Sequence, residues 1–370
     1  MTPPASIQRR RRPARPNFSA GRRGSVIVVI LALVTMAAFL ISRFVERTMT
    51  EMLVESRARI ADRLRTDAHT VLETTLAVLA DYQAADHGLR APAQGWGQPL
   101  LGLDLPLHPG TSVEVRFDDE TGLPSLPRLQ ATDLVALGRF LGLKENDASI
   151  FAEGLLVWTK AEQSSARFET DPRNYEYEDP PHHAPGRPLA SFRELAAVAG
   201  VRQYLFGEDG RPNEVYEKFA RTVSLYDFPA INLNTATADT LTLAGLDANQ
   251  AARLRELISG KVKPPPGSPP YFRSVAEAQT QAGIAAPLTG FDTLVRCLRI
   301  RVTVREGATA FHLIAVVSPS GGANDQPEGA AAIKPTLAAA NAVSAGKNLA
   351  YPFTLLGFEE KIELAAAPVS

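Results

Sequence analysis

Residues 22–29 read Arg22-Arg23-Gly24-Ser25-Val26-Ile27-Val28-Val29, and the apolar run continues through Ile30 to Ser42 as ILALVTMAAFLIS. Ser25 to Ser42 are 18 residues without a charge, a glycine or a proline. That meets the lower end of the roughly 17–25 residues a helix needs to cross a bilayer. Seven arginines (Arg9, Arg10, Arg11, Arg12, Arg15, Arg22, Arg23) and no acid lie within residues 1–24. The positive-inside rule keeps those residues in the cytoplasm and exports the chain beyond the apolar run. A secretory signal peptide ends in a small-residue cleavage site after its apolar stretch. No such site comes after Ile41; the helical pattern runs on, and the small residue, Gly24, precedes the run instead. Two readings fit: a cut between Gly24 and Ser25 that leaves the helix in the mature chain, or an uncleaved signal anchor.

Outward from this segment, no glycine or proline occurs between Ser25 and His87. Apolar residues recur at Val45, Met49, Met52, Leu53, Ile60, Leu64, Val71, Leu72, Leu76 and Leu79, mostly three or four apart, which is helical spacing. Charges such as Glu55, Arg59 and Asp62 take the other face at separations that allow pairing. The spacing predicts one rod, membrane-spanning over 25–43 and outside the membrane over 44–86. At ~1.5 Å per residue it would be about 90 Å long. Gly88 and Pro92 end it. The stripe keeps no strict heptad, which ranks a coiled coil lower; it is expected to pack on the rest of the chain and on neighbouring rods.

Beyond the rod, Ser112 to Phe117 alternates as a half-buried strand. Asp118-Asp119-Glu120-Thr121-Gly122 reads as a solvated turn. Residues 130–294 read as mainly helical: Asp133 to Leu141 is apolar at helical spacing, and Ser191 with Glu194 has the spacing of a capping box opening a helix that ends near Gly200. A polar loop, 162–187, lies between. In Ile231-Asn232-Leu233-Asn234-Thr235-Ala236, Thr235 is expected to cap a helix from Ala236 to Gly245. Asp247 caps a second helix, 248–258, which makes a helix-hairpin-helix over 235–258. Tyr271 to Ala282 closes the bundle, with Ser274 and Glu277 as another box. Residues 295–317 alternate around Glu306-Gly307 as a β-hairpin. Residues 318–349 read as a surface loop rich in small residues and proline, and 353–364 as a last strand. The expected fold class is therefore α+β. A discontinuous α/β head, 87–129 and 295–370, carries an inserted all-α domain of helix-hairpin-helix or SAM-like type, 130–294.

The chain has 370 residues, 39 Lys plus Arg against 40 Asp plus Glu, and 45% hydrophobic residues. That suits two or three modest domains and gives no electrostatic footprint for nucleic acid. Cys297 is the one cysteine, so it forms no intrachain disulfide and reads as a small buried residue. The residues make no catalytic set: no His-Glu-x-x-His and no Gly-x-Ser-x-Gly occurs, and the adjacent pair His182-His183 lies in a proline-rich loop. Helix-hairpin-helix units can hold a phosphate through backbone amides. Here the hairpin is Gly245-Leu246-Asp247, the carboxylate repels phosphate, and Arg253, Arg255 and Lys261 are scattered. Nucleic acid is not an expected partner, and the chain is not expected to be an enzyme.

The order of segments resembles the minor pseudopilin K family of type II secretion systems, also called general secretion pathway protein K. The likeness rests on Arg23-Gly24-Ser25, on Val115 to Gly122, on Phe192-Arg193-Glu194-Leu195 with Val198-Ala199-Gly200, on Ile231 to Ala236 and on the hairpin at 298–317. Together these cover most of residues 20–320. The resemblance implies prepilin peptidase cleavage between Gly24 and Ser25, which makes Val29 the fifth mature residue. Most such proteins carry a glutamate there; K-type members are apolar. It further implies a single-pass protein of the bacterial inner membrane, N-terminus cytoplasmic and head periplasmic. Such a protein sits at the pseudopilus tip beside I- and J-type minor pseudopilins, meets the inner-membrane secretion platform and helps start assembly. Calcium enters through the resemblance alone. Asp118, Asp119 and Glu120 are the one tight acidic trio, while Leu123-Pro124-Ser125-Leu126-Pro127 and Val157-Trp158-Thr159-Lys160 depart from the family's Asn-Leu-Asn and Asp-Trp-x-Asp runs. The alternative is a signal-anchored periplasmic protein whose helix-hairpin-helix domain binds DNA or a ligand.

Overall fold

A computed structural model of the chain describes residues 22–160, 167–262, 267–319 and 352–364. The chain divides into two units, Met1–Asp62 and Arg63–Ser370. The first, over its described residues, is helix: α1 runs Arg22–Asp86, with no break at Asp62. Its apolar run is rich in β-branched residues such as Val26, Ile27, Val28, Val29 and Ile30, but after Gly24 no glycine or proline interrupts its ladder.

In the second unit the last turns of α1 bury Leu64, Ala68, Val71, Leu72, Leu76 and Leu79. The predicted stripe thus splits, because Val45, Met49, Met52 and Leu53 in the first unit are exposed. The helix ends by a left-handed residue: His87 sits at φ 54°, and the Gly88 amide donates back to the Gln83 carbonyl at 3.1 Å. This is a Schellman stop with histidine where glycine is usual. Gly88 follows at φ 144°, a backbone conformation that a residue with a Cβ rarely adopts.

The remaining elements are β1 Thr111–Asp119, α2 Ala131–Phe140, α3 Glu145–Thr159, α4 Arg202–Leu205, α5 Glu214–Thr222, β2 Ile231–Asn232, α6 Ala238–Leu243, α7 Ala248–Ile258, α8 Val275–Ala282, β3 Phe291–Asp292, β4 Leu298–Glu306, β5 Thr309–Pro319 and β6 Phe353–Glu363. Four strands form an antiparallel sheet in the order β1-β4-β5-β6. Val113, Val115 and Phe117 lie opposite Val304, Val302 and Ile300. Those residues share a face with Leu313 and Ala315 of β5, and the alternation puts that face inside. Arg63 reaches Glu306 at 3.1 Å and Arg65 reaches Glu360 at 3.0 Å, so these turns of α1 are tied to β4 and β6. Trp96, fully buried, meets Phe117 edge-on at 5.1 Å.

Between β1 and β4 the chain builds two separate cores. The first centres on α3, which is buried along most of its length and packs Phe151, Leu155 and Trp158 with Leu195, Val201 and Phe219. Lys144 supplies no side-chain cap to α3, but Glu145 and Asp147 sit in its first turn, where the helix dipole favours acids. The second core gathers Leu233, Leu241, Leu254, Phe272, Ala278 and Phe291.

Three local expectations are corrected. Residues 192–197 form a 3-10 turn and Ser191 caps nothing with its side chain; Glu194 accepts instead from the Ala190 amide at 3.0 Å. The helix expected at Ala236 starts at Ala238, capped by the Thr237 hydroxyl, because Thr235 is engaged elsewhere. Asp118 and Asp119 are strand residues, and Glu120 to Gly122 form a buried 3-10 turn, so the acidic run is not a solvated turn.

Candidate functional site

The first unit presents an apolar helix surface. Val26 through Ile41 are exposed throughout, Val29 at 56%. An 18-residue window there has a mean hydropathy of 2.5, and none of it is buried. Contiguous apolar surface of that extent is not stable in water and marks a contact with lipid or protein. The single hydroxyl within it is satisfied: Thr35 Oγ1 donates to the carbonyls of Leu31 and Ala32 at 3.0 and 2.9 Å, so it presents no unsatisfied donor to a hydrocarbon phase. Beyond the run come the ion pairs Arg43–Glu46, Arg47–Glu51 and Arg59–Glu55 at 3.6, 2.8 and 2.6 Å. Gly24 and Ser25 fall in the first turn of α1; their side chains and residues 1–21 of the expected leader, 1–24, lie outside the described residues.

In the second unit the polar residues with tertiary roles converge where β1 ends. Asp119, Glu120 and Thr121 are consecutive, and each binds a different part of the chain. Asp119 Oδ2 accepts from Asn232 Nδ2 at 2.7 Å and from Thr235 Oγ1 at 2.6 Å, while its Oδ1 accepts from the Thr121 amide at 2.9 Å. Glu120 pairs with Arg299 of β4 at 2.6 Å and accepts from Ser224 Oγ at 2.7 Å. Thr121 Oγ1 accepts from the amides of Arg296 and Cys297 at 2.9 and 3.0 Å. Asp119 therefore ties the sheet to the second core, Glu120 ties it to the first, and Thr121 ties the outgoing strand to the returning one.

The Asn-Leu-Asn-Thr string completes this junction. Asn232 Nδ2 also donates to the Arg90 carbonyl at 2.8 Å, and its Oδ1 accepts from the Asn234 amide at 3.0 Å. Asn234 accepts from the Phe272 amide at 2.7 Å and donates to the carbonyls of Phe272 and Thr293 at 3.0 and 3.2 Å. Gly122 leaves room for the contact, since a Cβ there would lie 2.8 Å from Thr235 Oγ1. Buried polar groups satisfied this fully hold a unique arrangement.

Electrostatics track burial. Desolvation pushes the Asp119 carboxyl up to about 6, against the pull of its hydrogen bonds from Thr235, Asn232 and Thr121. Burial pushes the Cys297 thiol well above its usual range, with the charges of Glu120 and Asp119 adding to it. That thiol stays protonated and is no nucleophile.

The acidic trio does not fit calcium, which takes roughly six to eight oxygens around one point. Asp118 pairs with Arg301 at 2.7 Å, while Asp119 turns to Asn232 and Thr235 and Glu120 to Arg299 and Ser224. Among the described residues no group of three or more His, Cys, Asp or Glu side chains is placed to hold a metal ion. The His182 ring packs on Tyr175 and Trp158, with centroids 5.1 and 6.1 Å apart. At the turn between α6 and α7 the Asp247 carboxylate accepts from the amides of Asn249 and Gln250 at 2.9 Å. It thereby occupies the amides that a phosphate would need.

Sequence reasoning missed Tyr175, which lies inside the stretch read as a polar loop yet is fully buried, its hydroxyl accepting from the Ala199 amide at 3.0 Å. It also missed the reach of Asp119 and Glu120. The signal for the second was present only as a pair of hydrogen-bonding strings, Asp-Asp-Glu-Thr and Asn-Leu-Asn-Thr, far apart in the chain.

No protein-family model and no curated protein sequence matches this chain. Among solved structures it is similar to a chain of the GspK-GspI-GspJ complex from the enterotoxigenic Escherichia coli type 2 secretion system, with a TM-score of 0.54 and 14% identity. The match covers 85% of this chain and 99% of that one, more than the residues outside the segment between β1 and β4 could supply. At that identity the likeness is one of fold.

Proposed function

We propose that this chain is the K-type minor pseudopilin of a type II secretion system. In this reading the leader, residues 1–24, lies in the cytoplasm, prepilin peptidase cuts between Gly24 and Ser25, and α1 anchors the mature protein in the inner membrane with the body periplasmic. The protein joins I- and J-type minor pseudopilins at the tip and helps start pseudopilus assembly on the secretion platform. It works by assembly and not by catalysis. Residues 130–294, with the helix-hairpin-helix near 235–258, are then an insertion into a discontinuous head, 87–129 and 295–370.

The observation that carries this is the fold likeness at 85% coverage of this chain and 99% of the other, which takes in the segment between β1 and β4 as well as helix and sheet. Three features support it. The exposed apolar run after Gly24 needs a bilayer. Val29 stands where a glutamate would register a subunit against its neighbour's N-terminus, a function that a subunit with nothing above it does not need. A body carrying two extra cores would also obstruct a subunit stacked above it, which suits an end position.

The test is the N-terminal sequence of the protein recovered from membranes with and without an active prepilin peptidase. A chain starting at Ser25 only when the peptidase is active is the expected result, and Gly24→Leu should keep the leader. A chain that keeps its leader in both cases refutes the reading. So does recovery in mild detergent without any partner pseudopilin.

A further inference from the structure

We propose that the surface around Phe168 and Tyr177 is a docking site for a protein partner that presents arginine side chains.

Phe168 and Tyr177 are the two most exposed large apolar side chains among the described residues, at 82% and 86%. They are barer than the apolar run of α1, which a bilayer would cover. Slack in the chain does not account for this. Phe168 opens the 3-10 turn Phe168–Thr170, and Tyr177 ends the 3-10 turn Pro172–Tyr177. Asn174 Nδ2 donates to the Phe168 carbonyl at 2.6 Å, which joins the two turns. Thr170 and Tyr175 are buried, and the Tyr175 ring meets Trp158 of α3 edge-on at 5.3 Å. Arg167 pairs with Glu153 of α3 at 3.2 Å, and Glu178 with Arg202 of α4 at 2.9 Å. The backbone is thus pinned on both flanks, and the two rings are held outward on a fixed base. An aromatic side chain gives a large contact area at low entropy cost, which is why such residues anchor interfaces.

The charges around the rings select the partner. Both arginines between 167 and 180 already have an acid: Arg167 has Glu153 and Arg173 has Asp171. Arg202 takes Glu178. Glu169, Glu176 and Asp179 are exposed, and among the described residues their side chains enter no ion pair or hydrogen bond. Glu169 follows Phe168 and Glu176 precedes Tyr177, so each ring has an unmatched carboxylate beside it in the chain. A guanidinium stacks on an aromatic face and pairs with a carboxylate through its planar fork. An arginine laid over either ring would use both. A neutral glycan would stack on the rings but leave three carboxylates unmatched, and an acidic surface would be repelled.

The experiment measures the binding of fluorescent hexa-arginine to the full chain in zwitterionic detergent micelles by anisotropy, with hexa-glutamate as the reverse-charge control. The native chain should bind hexa-arginine alone. Phe168→Ala combined with Tyr177→Ala should weaken that binding about tenfold, and Glu169→Gln combined with Glu176→Gln about fivefold. Both variants change exposed side chains only, so each should melt with the native chain; should one fail to fold, the other decides. Hexa-arginine that does not bind the native chain, or that binds the folded variants as tightly, overturns the proposal. Chitohexaose that binds the native chain and is lost in the aromatic variant, with hexa-arginine unaffected, would make this a sugar-stacking surface and overturns it as well.

Discussion

The weight carried by one oxygen can be measured at Thr121. This residue is fully buried, and its hydroxyl oxygen accepts from two backbone amides, Arg296 and Cys297, at 2.9 and 3.0 Å. Thr121→Val changes almost no volume and removes only that oxygen. The buried Cys297 amide and the part-buried Arg296 amide then lose this partner. An orphaned donor costs ~1–3 kcal/mol, so the pair costs about 2–6 kcal/mol. For a body of this size each kilocalorie lowers the melting midpoint by ~2–4 °C, which predicts a fall of roughly 4–24 °C. The assay is a thermal melt of the full chain in detergent followed by near-ultraviolet circular dichroism. Thr121→Ser is the control; it keeps the oxygen, loses one methyl and should cost ~1 kcal/mol. If Thr121→Val melts with Thr121→Ser, the stapling of the outgoing to the returning strand by this hydroxyl is wrong.

Two further substitutions test the packing and the end of α1. In Gly154→Ala helix propensity would gain ~1 kcal/mol, but the new Cβ would press into the Ala199 carbonyl and stand 3.2 Å from Val201 Cγ2. Overpacking of ~1–3 kcal/mol wins, so a denaturant melt should show a destabilised protein; a stabilised one would mean α3 can move away. His87→Gly should raise stability by ~0.5–1 kcal/mol, because an exposed residue at φ 54° gives up left-handed strain and no packing; a fall in the melting midpoint would show that the histidine makes a contact of its own.

Much of the fold was legible because it rests on periodicity. The unbroken run from Ser25 to His87 announced α1, and the alternations at 112–117, 298–306 and 309–317 announced β1, β4 and β5. What escaped depended on partners distant in sequence. Thr235 and Thr237 are equally good caps by composition. Only the bond from Thr235 to Asp119, on the other side of the first core, decides that Thr237 caps α6. Asp119 and Glu120 look like solvent-facing acids because their partners, on Ser224, Asn232, Thr235 and Arg299, lie far down the chain. Tyr175 sits among polar neighbours that supply no periodicity, so its burial had no local signature. The N-terminal processing residues were the reverse case: Gly24 and Ser25 were conspicuous in sequence, and their side chains are outside the described structure.

The pairing of β1 with β4 has a consequence for the order in which the molecule can form. Thr111 pairs with Glu306, and no earlier residue can satisfy that edge. A chain delivered from its N-terminus therefore presents β1 as an open strand while both intervening cores are still being delivered. Such long-range closure is slow, since the loop must be ordered before the contact rewards it. An unpaired edge exposed for that interval invites pairing with other chains. Asp119, Glu120 and Thr121 can engage only after their partners on the two cores and the returning strand have arrived, so the junction closes last. The step most exposed to failure in the cell is thus the wait of β1 for its partner, and a chaperone that shields strand edges would raise the yield of this protein more than its final stability would suggest.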